Sequence, residues 1–229
     1  MLEWDREKFS EIVSINCDGT HRVSKSSSFV QLYTISVIIK SSNSSDTMST
    51  VRFYTLLKKK TKKVYKEMIS GLKSIADLSS LKVVRSDFEA AFAAAVAEEL
   101  PWVSHRYCSF HLSLAISTQF GSMGLKKAYD STKGHDLRAI LCSLSYIPCG
   151  SIVFREHVLR LVDSQIEKLK LSRAFPNLQL NWSKARTYLH DVWLGANPMF
   201  DPTKWAMETW KDYCQMGGDT TNNISEEMG

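Results

Sequence analysis

The sequence lacks any apolar run long enough to cross a bilayer, although 44% of its 229 residues are hydrophobic. A membrane-spanning helix needs about 20 consecutive apolar residues. The N-terminal segment mixes acids, bases and single apolar residues, whereas a secretory signal has a basic start and an apolar centre. We therefore expect a soluble protein that is not exported and has enough apolar side chains for a sizeable core.

Cysteine is sparse, and neither sign of charge dominates. The five cysteines are odd in number and scattered, which is typical of reduced intracellular thiols and argues against a disulfide framework. The 29 Lys and Arg residues exceed the 24 Asp and Glu residues by a net charge of only +5. This mild basic excess allows a polyanionic partner such as nucleic acid without requiring one.

The hydrophobic patterns predict three strands before the first helix, and then alternating helices and strands. Strands are predicted at residues 11–17, 32–40, 50–57, 81–85 and 103–110, and helices at 62–75, 88–100 and 111–120. From Gly121 onward the chain is predicted to be mainly helical. Three antiparallel strands followed by βα units indicate an α/β fold with a mixed sheet, in the order expected of a ribonuclease H-like fold.

The patterns also predict which residues face the core. In the first strand, Val13, Ile15 and Cys17 share one face, and Asp18 and the residues alternating with it lie on the other. The first helix has an apolar stripe at helical spacing, made of Val64, Met68, Leu72 and Ile75. These two sets are the predicted contact between sheet and helix.

Two aspartates end the first and fourth predicted strands, which are central neighbours in such a sheet. We expect Asp18 and Asp87 to meet at one edge of the sheet. Carboxylates are suitable ligands for Mg²⁺ or Mn²⁺, and two such metal ions side by side can align an in-line attack on a phosphodiester. Structural alternatives remain open. Asp18 before Gly19 is an ordinary turn former, and Asp87 fits a capping box that ends at Glu89. Glu226 is equally compatible with a helix cap.

Seven short motifs occur along nearly the whole chain in an order shared with one known family. They are Asp18-Gly19-Thr20, Gln31-Leu32-Tyr33-Thr34-Ile35, Tyr54-Thr55-Leu56-Leu57 with Lys60-Thr61 and Tyr65, Asp87-Phe88-Glu89-Ala90-Ala91, Cys108-Ser109-Phe110-His111-Leu112, Trp193-Leu194-Gly195 with Phe200 and Trp205, and Thr221-Asn222-Asn223-Ile224-Ser225-Glu226. Each motif is weak alone. Together they resemble the transposase domain of Mutator-like elements, the MULE family.

This resemblance implies a DDE-type, ribonuclease H-like catalytic core that acts on DNA. Asp18, Asp87 and Glu226 would be its catalytic and metal-binding carboxylates, holding two Mg²⁺ or Mn²⁺ ions. In that chemistry one metal activates water or a DNA 3′-hydroxyl, and the other stabilises the leaving oxygen. The implied partners are transposon ends and target DNA, bound by a homo-oligomer in the nucleus.

Cys108 and His111 match the family's C-x-x-H motif at the end of the fifth predicted strand. Such a pair is only half of a zinc site, and the remaining cysteines have no matching spacing. The resemblance places the pair near the metal site, where it would support the carboxylates or contact DNA. Ordinary packing at the strand end is the alternative.

The densest charge run is the lysine cluster, which consists of Lys58, Lys59, Lys60, Lys62 and Lys63. It is interpreted either as a solvated strand exit or as a site that contacts DNA phosphates, with nuclear import as a further role. Tryptophans near the C-terminus are predicted to be core residues rather than base-stacking platforms, namely Trp182, Trp193, Trp205 and Trp210.

The motifs predict one catalytic domain over residues 1–229, with a helical insertion at about 121–215 and no separate DNA-recognition domain. The chain stops three residues after Glu226, so we expect a catalytic domain cut from a larger transposase, and whether it is active alone stays open. Two alternatives stay open. One is a transposase-derived module that binds DNA and regulates transcription without catalysis, and the other is a non-functional transposon remnant.

Overall fold

A computed structural model describes residues 12–20, 29–40, 47–146, 151–171, 174–176 and 178–206. The described chain forms two compact units. The first runs as far as Cys108, and the second begins at Ser109.

The first unit is built on a five-stranded mixed sheet with the strand order β3-β2-β1-β4-β5. Its strands are β1 (Ile12–Thr20), β2 (Gln31–Lys40), β3 (Thr47–Leu57), β4 (Val83–Ser86) and β5 (Ser104–Tyr107). The first three strands pair antiparallel, whereas β4 pairs parallel with both β1 and β5. The predicted mixed α/β sheet is thus confirmed, and its order is compatible with a ribonuclease H-like fold.

In the described part of this unit two helices pack on the sheet, α1 (Lys62–Ile75) and α2 (Ala90–Glu99). Thr61 caps α1, because its hydroxyl accepts a hydrogen bond from the Val64 backbone N–H. The centre of the core is an aromatic cluster of Tyr33, Tyr65 and Phe92, with ring centroids 5.3 to 5.6 Å apart. Apolar burial of this kind supplies the main stabilisation of a domain.

The predicted stripe of α1 is only partly correct, since Leu72 is buried as predicted but the other predicted residues are not fully buried. The buried residues are Tyr65, Ile69 and Leu72, while Val64 and Met68 are only partly buried and Ile75 is exposed. The helix turns so that the Tyr65 ring joins the aromatic cluster, which buries a larger surface than Val64 would.

The predicted alternation of β1 is also only partly correct. Ile15 and Cys17 belong to the core, but Val13 is half-buried because the pairing with β2 is irregular between Ile12 and Ser14. The polar face of β1, with Ser14, Asn16 and Asp18, is buried as well. As the middle strand of the sheet, β1 has a paired strand on both sides.

The second unit is helical in its described part. Its helices are α3 (Ser109–Ser122), α4 (Lys126–Asp130), α5 (His135–Cys142), α6 (Ile152–Lys170) and α7 (Leu178–Tyr188), followed by a π-helical turn (Leu189–Leu194). Trp182, Trp193 and Trp205 are buried, as predicted for core tryptophans, and Trp210 lies outside the described residues. Among the described helices, none combines the length and apolarity needed to span a membrane.

Candidate metal centre

Asp18 and Asp87 meet at one edge of the sheet because of the register between β1 and β4. Paired residues of these parallel strands, such as Asn16 and Arg85, differ by 69 positions, and so do the two aspartates. Asp18 lies near the end of β1, and Asp87 is the first residue after β4. A carboxylate oxygen of each lies within 4.8 Å of one from the other. The predicted pairing of these two residues is therefore present in the structure.

The alternative roles, a turn former for Asp18 and a capping box for Asp87, are not what the structure shows. Asp18 is a strand residue paired with Thr34, not a turn residue, and its side chain is buried. The capping box is absent, since α2 begins at Ala90 and the residue that precedes it, Glu89, makes no capping hydrogen bond with its side chain. Asp18 is therefore placed by the sheet, and Asp87 by the connection that directly follows β4.

Hydrogen bonds fix the backbone around the pair. The Thr34 hydroxyl donates to the Asp18 carbonyl oxygen at 3.3 Å. The Ser86 hydroxyl donates to the Asp87 carbonyl oxygen at 2.9 Å, and it also lies 2.9 Å from Nε2 of the buried His105 on β5. Neighbouring strands on both sides thus hold the two aspartates.

Burial and nearby negative charge raise the pKa of two groups near the aspartates, Cys17 and Tyr33. Burial raises the pKa of the Cys17 thiol far above its usual range, and the charges of Asp87 and Asp18 raise it further. Burial also raises the pKa of the Tyr33 hydroxyl, with Cys17, Asp87 and Glu89 among the additional causes. Two aspartates this close repel each other electrostatically, which a bound cation relieves.

The residues present fit a hard divalent cation. Carboxylate oxygens on rigid strands are the donors that Mg²⁺ and Mn²⁺ prefer, and ligands on opposite sides of Mg²⁺ are about 4.2 Å apart at its usual bond length. A separation within 4.8 Å therefore needs little adjustment. Glu226, the third predicted ligand, lies outside the described residues.

Cys108 and His111 lie on either side of the boundary between the two units. Cys108 is fully buried directly after β5, and its backbone N–H donates to the Ser86 carbonyl oxygen at 2.9 Å. His111 lies in the first turn of α3 and is half-buried. The structure thus places Cys108 beside the end of β4, next to the residue that precedes Asp87.

The lysine cluster is exposed throughout, but its members differ in their partners. Lys60 forms an ion pair with Glu89 at 2.6 Å, and Lys62 forms one with Glu98 at 2.5 Å. Among the described residues, Lys58, Lys59 and Lys63 have no acidic side chain within ion-pair distance. These three lysines are the ones available to an external anion.

Sequence reasoning missed the role of Glu89, which it treated as a capping residue. The Glu89 carboxylate instead accepts hydrogen bonds from Lys60, from the Tyr65 hydroxyl and from the Gln31 amide. The available signal was its position two residues after Asp87, in a motif that joins a strand to a helix.

The family comparison agrees with this geometry. Residues 14–114 match the family model of the MULE transposase domain. The matched segment includes both aspartates, the lysine cluster, Cys108 and His111, and it ends before Glu226. No curated protein matches the chain. The resemblance is thus confirmed over residues 14–114, and this domain suggests a transposase-related function with DNA as partner and with use of a divalent metal.

Proposed function

Starting from the MULE transposase domain at residues 14–114, we propose that this chain is the catalytic core of a Mutator-like DNA transposase. The reaction is metal-dependent cleavage and transfer of DNA strands on a ribonuclease H-like scaffold. The observation that carries the proposal is the carboxylate pair, with oxygens of Asp18 and Asp87 within 4.8 Å at the edge of the mixed sheet.

In this mechanism the protein binds and orients rather than forming a covalent intermediate. Asp18 and Asp87, joined by Glu226, would hold two Mg²⁺ or Mn²⁺ ions, which supply activation of the attacking oxygen and stabilisation of the leaving oxygen. The parallel pairing of β1 and β4 brings the aspartates side by side, and a scissile phosphate bound there would be oriented for in-line attack.

Contacts with the DNA backbone are proposed for the lysine cluster, mainly for Lys58, Lys59 and Lys63, which are exposed and lack acidic neighbours among the described residues. His111 follows Cys108 by three positions, and we propose that its ring supports a bound phosphate or a carboxylate. A DNA substrate of this class implies a nuclear protein. Joining two transposon ends implies a homo-oligomer.

The test is nicking of supercoiled plasmid DNA by the purified chain in Mn²⁺, followed by gel electrophoresis. Asp18→Asn and Asp87→Asn should each lower the nicking rate by at least about 100-fold, because losing a ligand exceeds the roughly 10- to 100-fold cost of losing an outer partner of a metal site. Asp77→Asn is the matched control, since Asp77 is exposed and its carboxylate accepts a hydrogen bond from the nearby Ser79 backbone N–H.

Equal nicking by wild type and both aspartate variants would contradict the proposal. DNA binding without Mn²⁺-dependent nicking in the wild type would favour the transposase-derived regulatory module instead.

A further inference from the structure

Asp87 lies in a short connection rather than in a regular element. Residues 87–89 join the end of β4 to the start of α2. The Glu89 backbone N–H donates to the Asp87 carbonyl oxygen at 2.8 Å, which closes this connection into a tight turn. The position of the Asp87 side chain therefore depends on what holds the turn in place.

The Glu89 side chain anchors that turn to three other segments. Its Oε1 accepts from Lys60 Nζ at 2.6 Å and, more weakly, from Gln31 Nε2 at 3.5 Å, while its Oε2 accepts from the Tyr65 hydroxyl. Gln31 is the first residue of β2, Lys60 precedes α1, and Tyr65 lies in α1. We name these four residues the Glu89 network. The Glu89 side chain is only 17% exposed; its bonds with Tyr65 and Gln31 are part-buried, whereas the bond from Lys60 is exposed.

The same network reaches the backbone beside Asp18. Gln31 is buried, and a Cβ atom added to Gly19 would lie 1.5 Å from Gln31 Nε2. The Gln31 amide thus occupies the space that a side chain at Gly19 would take. Its Oε1 lies 3.2 Å from the Tyr65 hydroxyl, which connects the Gly19 side of the network to Glu89. One hydrogen-bonded set of polar groups therefore contacts the residue after Asp18 and the turn that carries Asp87.

We propose that Glu89 is a positioning residue of the metal centre, acting through the Glu89 network to hold Asp18 and Asp87 at the separation that a divalent cation requires. The inference rests on the proposed metal-dependent function and deepens it. Glu89 itself is not a ligand in this arrangement, because both of its carboxylate oxygens are engaged by the network. Partners of this kind set ligand geometry, and their loss typically costs about 10- to 100-fold in metal affinity.

The experiment is Mn²⁺ titration of the full chain by isothermal titration calorimetry. Glu89→Ala should weaken Mn²⁺ binding by about 10- to 100-fold, whereas Glu89→Gln should restore most of the affinity, because an amide can bond the same partners. Glu98→Ala is the matched control: it removes a glutamate of α2 that pairs with exposed lysines outside the network. It should bind Mn²⁺ like wild type.

Two further variants keep the test independent of one substitution. Tyr65→Phe removes the hydroxyl but keeps the ring in the core, and Gly19→Ala displaces the Gln31 amide. Both should weaken Mn²⁺ binding several-fold while circular dichroism shows a folded chain. These variants answer the question even if Glu89→Ala fails to fold.

The outcomes separate the inference from the proposed function. If Asp18→Asn abolishes Mn²⁺ binding but Tyr65→Phe, Gly19→Ala and the Glu89 variants bind like wild type, only the positioning role is overturned. If Glu89→Gln binds as weakly as Glu89→Ala, Glu89 acts through its charge, and positioning is again overturned. If the wild type binds no Mn²⁺, both the metal centre and its support are overturned.

Discussion

The register between β1 and β4 brings Asp18 and Asp87 together, and burial together with their negative charge raises the pKa of the neighbouring Cys17. Each aspartate alone is an ordinary polar residue, but parallel pairing with a constant offset of 69 positions brings the carboxylates together. Cys17 precedes Asp18 and points into the core, where burial and the two negative charges raise its pKa. A thiol in such a place stays protonated, and thiols react as thiolates.

Alkylation with iodoacetamide at pH 8.5 should therefore modify Cys17 at least about 100-fold more slowly than Cys142, because Cys17 reacts only when the unit opens. Cys142 lies at the exposed end of α5 and serves as the internal reference. Peptide mass spectrometry over time measures both rates in one sample. Equal rates in the folded chain would contradict the burial of β1.

At the scale of elements, α1 is held by its buried stripe more than by its charges. Lys62, Lys66 and Lys73 of α1 form exposed ion pairs with Glu98 and Glu99 of α2. These pairs lower the pKa of both glutamates, but exposed pairs of this kind contribute little to stability. The apolar contact between α1 and the sheet is the stronger term.

Ile69→Ala should lower the free energy of unfolding by about 2 to 5 kcal/mol, because it leaves a cavity in the core. Ile75→Ala is the same chemical change at an exposed position of the same helix and should cost less than about 1 kcal/mol. Urea titration followed by far-ultraviolet circular dichroism measures both. A larger loss for Ile75→Ala would support the stripe predicted from sequence instead of the observed one.

At the scale of the whole molecule, the net charge of +5 is modest, so the arrangement of charge decides what it can bind. Glu89 and Glu98 engage Lys60 and Lys62, while Lys58, Lys59 and Lys63 are exposed. Three of the five positive charges of the lysine cluster therefore have no acidic partner within ion-pair distance among the described residues. Phosphate contacts at such lysines release counterions from DNA.

Replacing Lys58, Lys59 and Lys63 together by alanine should weaken binding to duplex DNA and reduce the slope of log K against log salt by about 2 to 3, near 0.9 per lost phosphate contact. Fluorescence anisotropy at a series of salt concentrations measures the slope.

A control with the same loss of charge replaces three exposed lysines of the second unit, Lys127, Lys133 and Lys184. It should leave the slope within about 1 of the wild-type value. An equal reduction in the control would show that net charge, and not the lysine cluster, governs DNA binding.

The sequence by itself determined the element order, the mixed sheet and the pairing of Asp18 with Asp87. The periodicity of apolar residues and the position of a residue at a strand end are local signals that can be read from sequence. The pairing of the aspartates followed because neighbouring parallel strands have their carboxyl ends at the same edge of the sheet. The family resemblance came from short motifs that occur in the family's order, and the match of the family model to residues 14–114 confirms it over that segment.

Tertiary structure alone decided which face of α1 is buried and what Glu89 does. The predicted and observed faces share Leu72, and the Tyr65 ring, packed between Tyr33 and Phe92, turns the buried face toward Tyr65 and Ile69. The contacts of Glu89 span 24 to 58 positions, to Tyr65, Lys60 and Gln31. Such contacts leave no periodic trace in sequence, because they depend on where separate elements meet and which buried polar groups need partners there.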